Sequence, residues 1–302
     1  TSIEALSQLR DVATPHTTGD SGPVPIPWRN IDNIAPAGSI NSSALDMARW
    51  LKFLLAGGRH DGRPLLSDSS MRMITSPHTM MPHSRDTLRP SIHFLAYGLG
   101  VMTYDYRGVK VLSHGGGIDG MLSDVTWIPE RDFGVVVLAN TDGNNLAQVA
   151  LTRWIVDRML GAPEVDWSSV LLNDIRRYQR DMTLLRVRLD SLRPRNTSPG
   201  VDLERYTGRF EHPLYGAIEI ADADALTLRL VGGPGGTLSH WAHDTFLLQW
   251  ESAGPALRPA HVTFDIDPTG RVEALTIRDD LLAPPGERVW ERDRFTREKG
   301  SP

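Results

Sequence analysis

The sequence predicts an α+β protein: an antiparallel sheet with flanking helices, then a long connector helix, then a small all-β barrel-like domain. Three observations carry this expectation. Residues Val109 to Asn140 hold three β-rich runs joined by two turn-rich breaks, the pattern of an antiparallel meander. Residues 166–193 keep one helical period without a break. Residues 201–297 contain only short β-rich runs separated by turns, the spacing of a small barrel or sandwich. The chain accordingly divides into 1–163, 164–200 and 201–302.

Composition narrows the class. A chain of 302 residues suits about two domains. With 40% hydrophobic and 23% charged residues it reads as soluble and globular. A net charge of −5 favours neither nucleic acid nor an anionic membrane surface as partner. Cysteine is absent, which excludes disulfides and thiol chemistry. No apolar run reaches the length of a membrane span. The chain starts at Thr1 rather than methionine, so a processed chain or a fragment is expected.

Residues 1–41 are rich in Pro, Gly, Thr and Asn, and Pro23, Pro25 and Pro27 alternate. Prolines in that pattern suit neither a helix nor a central strand, so a long loop is expected. A helix starts at Ser43, with Asp46 three residues on as a weak capping box. Leu45, Ala48, Leu51 and Leu55 set its apolar face, and Gly57-Gly58 ends it. A short helix from about Ser67 to Thr75 stops before Pro77. Residues 77–92 read as irregular. His78, His83 and His93 fit no compact metal motif and read as loop histidines.

Tyr97 to Thr103 begins the strand series, with a turn at Asp105 to Gly108. The meander's first run ends at His114, followed by Gly115, Gly116 and Gly117. Three bare residues let backbone approach another molecule closely, and a polar head beside them suits a substrate-binding edge. A bulge or loose turn with a structural histidine is the other reading of the same four residues. A helix from Asn144 to Leu160 closes this unit. In the 166–193 helix Leu171, Ile175, Tyr178, Met182, Leu185, Leu189 and Leu192 form a heptad seam. At 1.5 Å per residue the helix spans roughly 40 Å. Its seam can pair with a second copy of the chain or lie on a domain as a connector. Six β runs follow, with turns at Ala223-Asp224, Gly232 to Gly236 and Asp267 to Gly270. His240 and His243, three apart on a strand, would face opposite sides and make a poor metal site.

Pro36 to Leu51, Tyr97-Gly98-Leu99-Gly100, and His114-Gly115-Gly116-Gly117 with its meander resemble serine β-lactamase-like proteins. That superfamily takes in class C β-lactamases, penicillin-binding proteins and esterases. Tyr206 to Phe210 and His240 to Phe246 resemble the small β domain often appended to them. The resemblance implies part of a β-lactamase/transpeptidase-like fold, no cofactor, and a small-molecule or peptide-like substrate. It implies a periplasmic or secreted bacterial protein. Catalysis in the family uses Ser-x-x-Lys, Tyr-x-Asn or Ser-x-Asn, and Lys/His-x-Gly at the edge of the site. The third motif falls on His114-Gly115-Gly116, and the N–H of Gly117 would form half an oxyanion hole. The first motif is absent: Arg49, Arg107 and Thr296 stand three before the three lysines. Tyr-x-Asn is absent too, and Ser39-Ile40-Asn41 reads as turn chemistry. The chain therefore reads as the C-terminal part of such a hydrolase, acting on an amide, lactam or ester. Its nucleophile would lie in a missing N-terminal part. A non-catalytic binding or assembly module is the alternative, and Thr1 as an N-terminal nucleophile the weakest reading.

Overall fold

The computed structural model describes residues 3–19, 21–81, 92–142, 146–222, 225–251, 259–279 and 293–298. The chain forms two compact units, Thr1–Arg176 and Arg177–Pro302. The mixed α+β class with antiparallel sheets is what the structure shows.

The first unit opens with a short helix α1 (Ile3–Leu6) and a hairpin, β1 (His16–Gly19) and β2 (Gly22–Pro25). The expected long loop is corrected here. Pro23 and Pro25 lie in β2, which among the described strands pairs with β1 alone, and an edge strand tolerates missing N–H donors. Helix α2 (Ala35–Gly38) leads to α3 (Ala44–Leu55). Ser43 caps α3, its hydroxyl accepting the Asp46 N–H at 3.1 Å. A two-residue ribbon, β3 (Arg59–His60) with β4 (Arg63–Pro64), precedes α4 (Asp68–Thr75), capped by Ser67.

Six strands then form one antiparallel sheet: β5 (Thr79–Met80), β6 (Leu95–Tyr97), β7 (Met102–Tyr106), β8 (Val109–Ile118), β9 (Met121–Ile128) and β10 (Phe133–Ala139). Their spatial order is that of the sequence. The single strand expected over Tyr97 to Thr103 is two, split by the turn at Gly98 to Val101. A Cβ on Gly98 would stand 2.5 Å from the Ile74 carbonyl oxygen, and Gly100 adopts φ +75°. Thr79–Met80 is a strand where irregular chain was expected; His83 lies outside the described residues.

Alternation along β8 sorts the core into two layers. Val109 and Val111 pack with Ile128 and with Val156 of α5 (Ala147–Met159). Leu112 packs with Trp127 and with Leu51 and Leu54 of α3. The sheet is thus covered by helices on both faces. Buried Asp157 ties this unit together. It accepts the Tyr106 hydroxyl at 2.7 Å, the Arg107 Nε–H at 2.8 Å and the Trp167 indole N–H at 2.8 Å. Burial and the adjacent carboxylate push the Tyr106 phenol up to about 12. Helix α6 runs from Trp167 to Leu192.

The second unit is a closed antiparallel barrel of eight strands. They are β11 (Gly208–His212), β12 (Gly216–Asp222), β13 (Leu226–Leu230), β14 (Gly235–Ala242), β15 (Thr245–Trp250), β16 (Ala260–Ile266), β17 (Val272–Arg278) and β18 (Asp293–Arg297), with β11 pairing β18. Two strands, β14 and β18, exceed the six expected runs. Gly235 and Gly236 read as a turn in sequence but start β14. A Cβ on Gly236 would lie 2.5 Å from the Gln249 carbonyl oxygen, so this glycine answers a close strand approach. The interior is filled by Phe210, Phe246, Phe264, Phe295 and Tyr206 with aliphatic neighbours. Tyr206 donates to Asp244 at 2.5 Å, and burial together with that carboxylate raises its phenol pKa. The bulge between His240 and Ala242 brings the His240 ring to 3.0 Å from the His243 carbonyl oxygen. The expected turn Ala223-Asp224 lies outside the described residues.

Candidate active-site edge

The glycines after His114 are neither a bulge nor a turn. β8 continues through them to Ile118, in register with β9: His114 faces Val125, Gly115 faces Asp124, Gly116 faces Ser123 and Gly117 faces Leu122. On its other side β8 is paired with β7 only from Val109 to Ser113, where Ser113 meets Met102. From His114 onward the second edge of β8 carries no strand partner among the described residues. Alternate N–H and C=O groups therefore face outward from an exposed stretch, His114 to Gly117.

Packing within the chain explains one of the three glycines. A Cβ on Gly116 would stand 2.5 Å from the Ser123 Oγ. Among the described residues, a Cβ on Gly115 or Gly117 would come no closer than 3.4 Å to a neighbour, which is ordinary contact. Neither has a positive φ. Their bareness thus answers nothing in the described chain and leaves the edge open to something outside it.

The far end of β8 is held from the N-terminal segment. Gly120 turns the chain at φ +77°, and a Cβ there would meet the Pro15 Cβ at 2.5 Å. Its N–H donates to the buried Asp142 carboxylate at 2.6 Å. The Asp142 N–H in turn donates to the His16 carbonyl at 3.0 Å. Arg29 pairs with Asp119 at 3.0 Å beside the same turn. The β1–β2 hairpin segment thus anchors the strand end carrying the glycines.

His114 makes two hydrogen bonds. Its Nδ1 lies 2.5 Å from the Gly115 carbonyl oxygen and its Nε2 lies 2.9 Å from the Tyr97 hydroxyl. A carbonyl only accepts, so Nδ1 carries the proton, and in the neutral ring Nε2 accepts from Tyr97. The Tyr97 ring also meets the imidazole edge-on, at 5.9 Å. Tyr97 was absent from the candidate residues. Its signal was the motif Tyr97-Gly98-Leu99-Gly100, whose glycines the structure explains by close approach and by a left-handed turn.

The remaining residues weighed in the sequence make local bonds of their own. The Lys110 ammonium donates to the Thr75 carbonyl at 3.0 Å. Ser39 is buried at the end of α2, its N–H donating to the Ala35 carbonyl. The His78 ring lies 2.7 Å from the Met73 carbonyl oxygen. His93, read as a plain loop histidine, binds Asp105 at 2.5 Å. Burial would raise the Asp105 pKa, but the His93 ring and the N–H groups of Phe94 and His93 outweigh it and hold it below the usual value.

Comparison with known proteins agrees with the resemblance. Residues 4–158, half of the chain, match the family described as beta-lactamase. Residues 192–292 match a family described as a domain of unknown function, DUF3471. The unguisins hydrolase ungD of Aspergillus violaceofuscus is 30% identical over 213 residues, which cover 65% of this chain and 36% of that protein. The unguisins hydrolase ungD' of Aspergillus campestris is 30% identical over 204 residues, with the same shares. The matched region is thus little more than a third of these relatives' length. A solved octameric penicillin-binding protein homologue from Pyrococcus abyssi is 19% identical, with a TM-score of 0.45, covering 97% of this chain and 55% of that one. The structure of SurE is 18% identical with a TM-score of 0.38, covering 96% and 56%. From its family match, this chain belongs to the beta-lactamase family, with a hydrolase-like domain in its first unit.

Proposed function

We propose that the first unit is the substrate edge of a serine hydrolase that cleaves an amide, lactam or ester through an acyl-enzyme. The observation that carries this reading is the open edge of β8, exposed from His114 to Gly117 and bare at two glycines that internal packing does not require. An extended substrate can lie along such an edge and take its outward N–H and C=O groups. The serine Oγ attacks the carbonyl carbon, the C–N or C–O bond breaks, and the leaving amine or alcohol departs with a proton. Water then hydrolyses the resulting ester. The Gly117 N–H is the donor assigned to the developing oxyanion, a contribution typically worth a few kcal/mol of barrier. His114 orients the substrate or joins the proton path. The relatives' names, hydrolases of unguisins, support hydrolysis as the reaction.

The nucleophile is the part this chain does not carry, since no serine stands three before a lysine. We assign it to sequence upstream; the match spans 36% of the relative's length. A fluorophosphonate or fluorescent penicillin tests this directly. The 302-residue chain should not be labelled. The protein extended by its upstream sequence should be labelled at the serine of a Ser-x-x-Lys. An encoding sequence without that motif would favour the alternative, a non-catalytic binding or assembly module that keeps the same open edge.

A further inference from the structure

An exposed ring on a free strand edge rotates about its side-chain bonds unless contacts fix it. Two hydrogen bonds hold His114, and they differ in what stands behind them. The Gly115 carbonyl belongs to the next residue of the same open edge. Tyr97 belongs to a different strand and is itself held firmly. Its carbonyl accepts the His78 N–H at 2.9 Å. The Gly98 N–H donates to the Val101 carbonyl at 2.7 Å, and the Leu99 N–H to the Ile74 carbonyl at 3.3 Å. Gly98 lies so close to the Ile74 and Ser76 carbonyls that no side chain fits there.

We propose that Tyr97 is a positioning residue for His114: its hydroxyl donates to Nε2 and holds the imidazole in the Nδ1–H form across the open edge of β8. The Nε2 lone pair is committed to Tyr97. An arriving substrate therefore meets a tyrosine–histidine pair rather than a lone imidazole, and the tyrosine oxygen keeps acceptor capacity of its own. The role at the reacting edge rests on the function proposed above; the hydrogen-bonded pair does not.

The test is made on the 302-residue chain with 15N-labelled histidine. A long-range proton–nitrogen correlation reads the tautomer, at a pH where the ring is neutral. The His114 signal is assigned by its loss in His114→Gln. A free histidine side chain in water prefers the Nε2–H form, so any departure reports the surroundings. The wild type should show Nδ1–H, with the Nε2 nitrogen shifted as a hydrogen-bond acceptor. Tyr97→Phe keeps the ring and its edge contact but removes the O–H, and the Nε2–H fraction should rise several-fold. An unchanged tautomer in Tyr97→Phe would mean that the Gly115 carbonyl alone sets the ring, which overturns the proposal. So would a wild-type ring in the Nε2–H form. Should Tyr97→Phe lose the methyl spectrum of the folded protein, the wild type alone decides: an Nε2 resonance at the free, unbonded position overturns the pair. If the pair stands but His114→Ala leaves hydrolysis by the upstream-extended protein unchanged, the proposed function falls and the pair remains.

Discussion

At the scale of single residues, the first unit is held by Asp157 and its three donors, Tyr106, Arg107 and Trp167. Their distances are those of well-made bonds, and the carboxylate is buried. Asp157→Ala would leave a phenol, a guanidinium and an indole without their acceptor. The expected loss is on the order of 3 kcal/mol, read as a lower urea midpoint with an unchanged slope. Asp105 gives a pH prediction. Its pKa in the folded protein lies below the value of ~3.9 expected when unfolded. The stability it contributes is therefore complete above about pH 4 and is lost as pH falls through the lowered folded value. Asp105→Asn should flatten the acid limb of a stability-against-pH curve and leave the neutral region nearly parallel. An acid limb identical in the variant would show that the His93–Asp105 bond contributes nothing.

Secondary elements divide sharply in how far the sequence revealed them. α3 was legible because capping serine, apolar period and terminal glycines all agree, and the meander because its β-rich runs sit between clear turn residues. β14 was not, because a glycine placed for a close strand approach looks the same in sequence as a turn glycine. Only the Gln249 carbonyl beside Gly236 tells them apart. The β1–β2 hairpin was hidden by prolines that an edge strand tolerates. At the site, the His114 motif was visible as a motif, but its meaning was not. That β8 runs on past its β7 partner depends on strand register. The Tyr97–His114 bond joins residues 17 apart through two intervening turns. This contrast among glycines is itself testable. Gly98→Ala places a methyl 2.5 Å from a backbone oxygen and should cost ~1–3 kcal/mol or more. Gly115→Ala meets nothing closer than 3.4 Å and should change stability by less than ~1 kcal/mol. Equal losses at the two positions, by denaturant melts, would remove the claim that the open edge is spare of internal packing.

At the scale of the whole molecule, each unit has its own core. The barrel buries five large aromatic rings and closes on itself through β11 and β18, so that each of its described strands has a partner on both sides. Residues 177–302 made alone should therefore unfold cooperatively, with a near-ultraviolet circular dichroism signal from packed aromatics. A fragment without that signal would show that the barrel depends on the first unit. Aromatic and aliphatic side chains fill the described interior of the barrel, and the function proposed above lies in the first unit. In the first unit the proposed function rests on His114 and the edge it heads. The most direct measurement is kcat/KM for His114→Ala in the protein extended by its upstream sequence, taken beside its melting temperature. A fall of ~10²-fold or more with an unchanged melting temperature is the predicted result, as the proposed role of His114 on substrate requires. Unchanged kcat/KM, or a variant that fails to fold, would contradict the account and make His114 a structural residue.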